Sequence, residues 1–334
     1  MSTLGWMGSL ACLWSAFAWY RWRRDVVPQR RGRARERGRK AAGHLPQFEP
    51  ARRRLVLICL WAAAVYAAVS IESPSGRIRV AWILAILPPV LWGVLAGLAR
   101  RSLRRGHNAT ALRLNGILLW LAPDSASLLC QRGGILFAAG RLDEAAAALR
   151  KALAQGRREA AQVPAMESLG RVLTAQGRHE EAGRAITAAI KLMSRRSRLH
   201  SAMAETFLWP REAGEPRPAE LEEALALTNC ALDYEGKSTG RSGPNCFAEL
   251  WADQAWAFAL LGRRDPALQA VRRALDAIDD TGRPQAAGVY WRLGMALRSA
   301  AQDEAAAKYF KKACAADPEG LFGTLASKAL DQAG

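Results

Sequence analysis

The chain has 334 residues, half of them hydrophobic, and its 48 Lys and Arg against 30 Asp and Glu give a formal net charge of +18. Residues 1–105 hold 19 basic and 4 acidic side chains, whereas residues 106–334 are nearly balanced at 29 and 26. The excess belongs to the N-terminal third, so it is not a nucleic-acid signature of the whole chain, and six cysteines without framework spacing exclude a disulfide-stapled secreted fold.

Three uncharged segments come first in chain order, Leu4–Tyr20, Leu55–Ile71 and Val80–Ala99, of 17, 17 and 20 residues. They predict membrane-spanning helices over about residues 4–20, 55–71 and 79–99, because roughly 17–25 apolar residues cross a bilayer core. Eight of the twelve tryptophans precede residue 121, many near segment ends, where amphipathic rings favour the interface. The first segment has no basic residue before it and the cluster Arg21-Trp-Arg-Arg24 after it. That polarity suits an uncleaved anchor with its N-terminus outside rather than a signal peptide.

Residues 21–54 carry 13 Lys and Arg and 3 acids, and Arg100, Arg101, Arg104 and Arg105 follow the third segment. Positive loops stay inside, so residues 72–78 become an external turn and the chain after the third segment is expected on the cytoplasmic side of a bacterial inner membrane; the alternative topology makes one segment peripheral and puts that part outside. Arg77 and Arg79 oppose that scheme, and Pro88-Pro89 permits a kinked course through the third segment. The run Arg30–Lys40 contains one acid and no aromatic residue. It reads as a loop lying against anionic headgroups, since a nucleic-acid site there would lack stacking groups.

Downstream one phrase recurs: Gly140-Arg-Leu-Asp-Glu-Ala145, Gly177-Arg-His-Glu-Glu-Ala182 and Gly262-Arg-Arg-Asp-Pro-Ala267. Each sits between two apolar-periodic segments, as stacked helical hairpins require. Around Gly140 the flanking positions are Leu129, Gly133, Leu136, Ala145, Leu149 and Ala152. The same grid gives Leu169, Gly170, Leu173, Ala182, Ile186 and Ala189 around Gly177, and Trp251, Ala255, Phe258, Ala267, Val271 and Ala274 around Gly262. Small residues fall where antiparallel helices touch, glycine fits the left-handed position that ends a helix, and the acids suit the positive end of the next one. A last unit turns at Ala301, with Tyr290, Leu293, Gly294, Leu297, Ala306, Phe310, Ala313 and Pro318. Gly106, 34 residues before Gly140, marks an incomplete unit beginning near Arg101. Met203, Ala204, Phe207, Leu221, Ala224 and Ala231 form a third unit whose turn, Trp209–Glu220, is about eight residues too long.

These residues resemble the tetratricopeptide repeat family, whose unit of about 34 residues is a helix-turn-helix. The resemblance covers residues 101–320. It implies an all-α, helical-hairpin solenoid of about five units over 106–334, and the uncharged segments place before it a membrane domain over 1–105 with three transmembrane helices. Leu321–Ala333 reads as a helix capping the last apolar face. In such arrays the first helices line a concave groove that receives a peptide or helix. By resemblance, groove positions here are Phe137, Glu167, Arg171, Arg198, Glu205, Trp256, Trp291, Met295 and Arg298. Trp256 and Trp291 fit the core between repeats nearly as well, because aromatic rings serve both roles.

Other motifs fail on chemistry. Gly236-Lys237-Ser238-Thr239 lacks the glycine five residues earlier, where Ala231 stands, and follows a helical pattern over Leu221–Tyr234, so it reads as a linker rather than a phosphate loop. His44, His107, His179 and His200 are scattered, with His179 in a turn facing solvent, and no paired His or Cys begins a metal site. Glu222-Glu223 and Asp279-Asp280 fall on helix surfaces or ends, where solvation accounts for them. The sequon Asn108-Ala-Thr110 would go unused in the cytoplasm.

The expectation is a non-catalytic, membrane-anchored scaffold that recruits a soluble protein and uses no cofactor. The alternative is an assembly or regulatory subunit of an integral-membrane enzyme or envelope-biogenesis complex acting through its spans, where Gly93 and Gly97 form a small-xxx-small pair. Cytochrome c maturation factors with repeat domains are similar in arrangement but place their array outside. Lipopolysaccharide-assembly regulators with cytoplasmic repeats are similar in topology but end in a cysteine-pair metal module that this chain lacks.

Overall fold

The computed structural model describes residues 93–156, 159–211, 214–237, 246–278 and 284–332, with the side chains of 159–161 left aside. The expected spans, apart from residues 93–99, and the Arg30–Lys40 loop lie outside these residues. Within them there is no strand, and no helix is long and apolar enough to cross a membrane.

Residues 93–104 are helical. Twelve helices follow: α1 (Asn108–Leu121), α2 (Ala126–Ala138), α3 (Leu142–Gln155), α4 (Glu159–Ala175), α5 (His179–Leu192), α6 (Ser197–Leu208), α7 (Pro218–Lys237), α8 (Cys246–Leu260), α9 (Arg264–Ala277), α10 (Pro284–Ser299), α11 (Asp303–Ala316) and α12 (Leu321–Asp331). They form an all-helical, tetratricopeptide-like solenoid.

Five turns share one hydrogen-bond pattern. The Arg141 N–H donates to Leu136 O at 2.9 Å, and His107, Arg178, Arg263 and Gln302 donate likewise to Ser102, Leu173, Phe258 and Leu297 at 2.8–2.9 Å. This closure places the residue before the donor in the left-handed region. Gly106, Gly140, Gly177 and Gly262 occupy it at φ of 77°, 71°, 76° and 72°, and Ala301 does so at 56° without glycine's freedom. The next helix starts at once: the N–H groups of Ala111, Ala145, Ala182, Ala267 and Ala306 donate to the residue that closed the turn. All five alanines are buried against the preceding helix. Hence the recurrent phrase is glycine for the turn and alanine for close approach. The pairs Arg141–Glu144 and Arg178–Glu181, both at 2.6 Å, are exposed, so water screens them and they add little to the turn.

Size complementarity then sets each hairpin. A Cβ at Gly133 would meet Leu149 Cγ at 2.4 Å, one at Gly170 would meet Ile186 Cγ1 at 2.4 Å, and one at Gly294 would meet the Phe310 ring at 2.5 Å. In the α8–α9 hairpin the glycine is Ala255 and its partner shrinks to Val271, both buried. Removal of a methyl on one helix is matched by volume on the other, as close-packed interiors require.

The first helices of neighbouring hairpins touch one another, whereas each second helix touches its own partner and the next first helix. First helices therefore line the inner side. Ala248, Ala252, Ala255, Ala286 and Ala287 on α8 and α10 are fully buried, and such short side chains shorten the spacing between helices. The array bends until its end meets its beginning. A Cβ at Gly106 would lie 2.8 Å from Pro284 Cγ, one at Gly140 would lie 3.9 Å from Leu321 Cα, and α12 touches α2 as well as α10 and α11.

Several expectations change. The first unit is fuller than expected, because helix 93–104 carries the buried Ala99 seven residues before Gly106, the position that Gly133 and Gly170 take before their turns. The unit with the overlong turn forms a hairpin from α6 and α7, and its long connection is folded inward at Trp209, which is buried. Gly236 and Lys237 end α7 rather than starting a linker, with Lys237 Nζ 2.6 Å from Asp233 Oδ2. His179 is half-buried, not solvated: its Nδ1 lies 3.0 Å from Thr206 O, and burial lowers its pKa.

Candidate functional site

The inner side of the solenoid brings most of the expected groove residues together, but against each other. Four hairpins contribute to one ionic network. Glu167 on α4 is ion-paired with Arg198 Nε at 3.0 Å and Arg196 Nη2 at 3.1 Å, from α6 and the residue before it. Glu205 on α6 accepts from Arg292 Nη2 of α10 at 2.6 Å and is ion-paired, without a hydrogen bond, with Arg171 Nη2 of α4 at 3.6 Å. Arg292 also donates to its own helix at Gly288 O, 3.0 Å away, and its Nε lies 2.8 Å from Asp253 Oδ1 on α8. That last contact has the charges adjacent but not the alignment of a hydrogen bond, and both Asp253 oxygens are buried without one.

These groups sort themselves by field and burial. Burial pushes the Asp253 carboxyl up, Arg292 opposes it, and repulsion from Glu205 and Glu249 helps bring it to about 8. Burial also raises Glu205, but Arg171 and Arg292 outweigh it and hold that carboxyl below its ordinary value. For Arg292 burial disfavours the cation, yet Asp253 and Glu205 win and raise its pKa. The consistent state near neutrality has Arg292 paired with an ionised Glu205 while Asp253 keeps its proton.

Beside this network lies an aromatic cluster. Trp291 packs on Trp209 at 4.8 Å between ring centres, edge-on against Trp256 at 5.4 Å, and against Phe322 of α12 at 5.8 Å. Phe137 of α2 meets Phe322 edge-on at 6.5 Å, and the Arg292 guanidinium stands over Phe322 at 5.4 Å. Trp256 and Trp291 are each only 3% exposed, as core packing dictates. Met295 and Arg298 stay together, the sulfur 3.2 Å from Arg298 Nη2, while Arg298 Nη1 donates to Ala329 O of α12. Arg298 thereby ties down the final helix.

Of the nine groove positions, Glu167, Glu205, Trp256 and Trp291 are buried, and Phe137, Arg171, Met295 and Arg298 are half-buried. Arg198, with 57% of its side chain exposed, is the one open to solvent. A narrow cleft lined by Arg171, Ser197, Arg198, Ser201, Cys246 and Glu249 holds about 10 Å³, room for roughly one water. The Cys246 thiol beside it is pushed up to about 12 by burial and by Glu235 and Glu249, so it is no nucleophile at neutral pH. Among the described residues no group of three His, Cys, Asp or Glu is placed to hold a metal ion.

Sequence reasoning missed Arg292, Asp253, Trp209 and Phe322. Arg292 and Asp253 sit beside the small residues of an apolar helical grid, where a charge should be costly, and that cost was the available signal. Trp209 lay in an overlong turn, and a tryptophan in a connection is seldom left to solvent.

Two segments, residues 126–154 and 287–319, match the tetratricopeptide repeat family model, and they correspond to the hairpins α2–α3 and α10–α11. No curated protein gave a significant match. Among solved structures, the chain is similar to a tetratricopeptide repeat protein from Parabacteroides merdae, at 16% identity and a TM-score of 0.51 over 84% of this chain and 98% of that one. It is also similar to a thermophilic tetratricopeptide repeat protein of Thermus thermophilus, at 22% identity and a TM-score of 0.47 over 62% and 99%. Local sequence and overall fold thus both support tetratricopeptide repeats in this chain, and proteins built of them generally mediate protein–protein interaction.

Proposed function

We propose that the chain is a non-catalytic scaffold, anchored in a bacterial inner membrane by its N-terminal segments, whose cytoplasmic array binds a protein partner. The carrying observation is the inner side itself: a floor of ion-paired side chains and packed rings, with Arg198 exposed and Phe137 and Arg171 half-buried at its edge. A floor so filled leaves no channel for a threaded peptide. The partner is therefore expected to sit on the rim, presenting an acidic group to Arg198, which already lies at the edge of the network.

Arg198→Ala is the test, because Glu167 keeps Arg196 and the fold keeps its floor. Full-length protein in detergent should lose a partner captured by the wild type, since truncating an interface anchor often costs about 2 kcal/mol or more. Equal capture by the folded variant would remove the rim from the proposal. A second reading, a subunit acting through its spans, is favoured by Gly93 and Gly97, around which a Cβ would meet nothing within 4 Å among the described residues. That open face permits close lateral approach of another helix. Cross-links to a partner through residues 93–97 rather than α4–α6 would support it.

A further inference from the structure

The exposed apolar surface of the array is concentrated at one place. Four of the seven large hydrophobic side chains exposed in the described structure lie on the first hairpin: Val94 at 51%, Leu98 at 45%, Ile117 at 47% and Trp120 at 50%. Leu98 follows Val94 by one helical turn, and Ile117 and Trp120 share a face of α1 with the exposed Arg113. The hairpin turns at Gly106 with the same hydrogen bonds as the later units. Positions equally far from that turn on the two antiparallel helices therefore lie side by side.

This pairing sorts the surface into two levels. Arg100 and Arg101 stand level with Arg113, and Arg104 and Arg105 lie nearer the turn, all exposed. Val94 stands level with Trp120, on the side away from the turn. A band of guanidinium groups thus lies between the apolar end of the hairpin and its turn at Gly106. A soluble surface has no reason to segregate in this way, whereas a bilayer interface does, with phosphates at the arginine level and a tryptophan ring among the headgroups and upper acyl chains. The apolar end is also where helix 93–104 joins the uncharged sequence that begins at Val80.

We propose that the corner formed by the C-terminal half of α1 is seated in an anionic phospholipid bilayer surface, with Ile117 and Trp120 inserted and Arg100, Arg101 and Arg113 on lipid phosphates. This rests on the membrane-anchored reading above and adds an orientation: the α1 end of the first hairpin lies on the membrane, and the array hangs from that contact rather than floating on a tether.

The experiment uses the full chain reconstituted in vesicles of mixed zwitterionic and anionic phospholipid, with a benzoylphenylalanine photoprobe replacing Ile117, and in a separate sample replacing Arg184 on the exposed face of α5. After illumination, mass spectrometry should find phospholipid adducts several-fold more abundant at position 117 than at 184. The triple variant Arg100→Gln, Arg101→Gln, Arg113→Gln should lower the adduct yield in anionic vesicles and leave it unchanged in purely zwitterionic ones. If the chain resists alkaline extraction yet the probe at 117 labels protein, or nothing, the seating is wrong while the anchor stands. If alkali strips the chain from the vesicles, the anchor itself fails and the seating falls with it.

Discussion

Asp253→Asn is the substitution that most directly interrogates the buried network. Asparagine keeps the shape of a protonated aspartate and removes its ability to ionise. In the fold the Asp253 carboxyl is pushed up to about 8 from an ordinary 3.8, chiefly by burial. The unfolded chain therefore releases this proton near pH 4 while the folded chain holds it to about pH 8. Between those values the folded state binds one more proton, so wild-type stability falls as pH rises, by about 1.4 kcal/mol per pH unit from this group. The variant has no such slope. The stability of Asp253→Asn relative to wild type should accordingly be near zero at pH 4, grow steadily through pH 7, and level off above about pH 8, a total of order 5 kcal/mol. His179 and Asp317 also titrate here, His179 lowered and Asp317 raised to about 6, both first of all by burial, but they are common to both proteins and cancel in the difference. Urea unfolding followed by circular dichroism at a series of pH values measures it. A variant that becomes less stable than wild type as pH rises would mean that Asp253 is ionised and paired with Arg292, and the assignment of charges in the network would be wrong.

Ala301→Gly should stabilise the chain by about 0.5–1 kcal/mol, since relief of a left-handed alanine exceeds the entropy that glycine adds to the unfolded state, and the melting temperature should rise by about 1–4 °C. Gly294→Ala should cost about 1–3 kcal/mol, because the new methyl meets the Phe310 ring at 2.5 Å, and Phe310→Leu in the same chain should recover part of the loss in the same melt. Trp291→Ala should cost about 3–5 kcal/mol through the cavity it opens among Trp209, Trp256 and Phe322, and a variant that melts with the wild type would show that the ring is not core. A reporter active only outside the cytoplasm should be silent when fused after Gly334 and active when inserted at Ser75, and activity at Gly334 would overturn the cytoplasmic placement of the array.

The turns and hairpins were legible because their chemistry is local. A left-handed residue, an alanine five positions on and a matched small–large pair lie within one unit and recur at fixed offsets, so Gly140, Ala145, Gly133 and Leu149 announce one another in sequence. Curvature was not legible. It depends on how far buried alanines such as Ala252 and Ala287 let neighbouring first helices approach, and the contact of Phe137 with Phe322 or of Gly106 with Pro284 is the sum of small rotations over the whole array. The ionic network escaped for the same reason. Arg292 and Glu205 are 87 residues apart and meet only after two hairpin steps have been taken.

On the inner side the charged groove positions pair with one another. A helix face turned to the inside of an open superhelix is free to bind, and the same face turned to the inside of a tight one must satisfy itself. Glu167, Arg171 and Glu205 would each be costly if buried alone, and each instead finds an opposite charge from another hairpin, so their presence on that face follows from closure before any partner is considered. Once closed, the floor resists rearrangement, because displacing Arg292 would strand Glu205 and Asp253 together in the interior, and α12 is held by Phe322 to the α2–α3 hairpin and by Arg298 to the last hairpin at once. The scaffold proposed above therefore assigns recognition to a group whose removal does not disturb that balance, Arg198, whose partner Glu167 retains a second cation in Arg196.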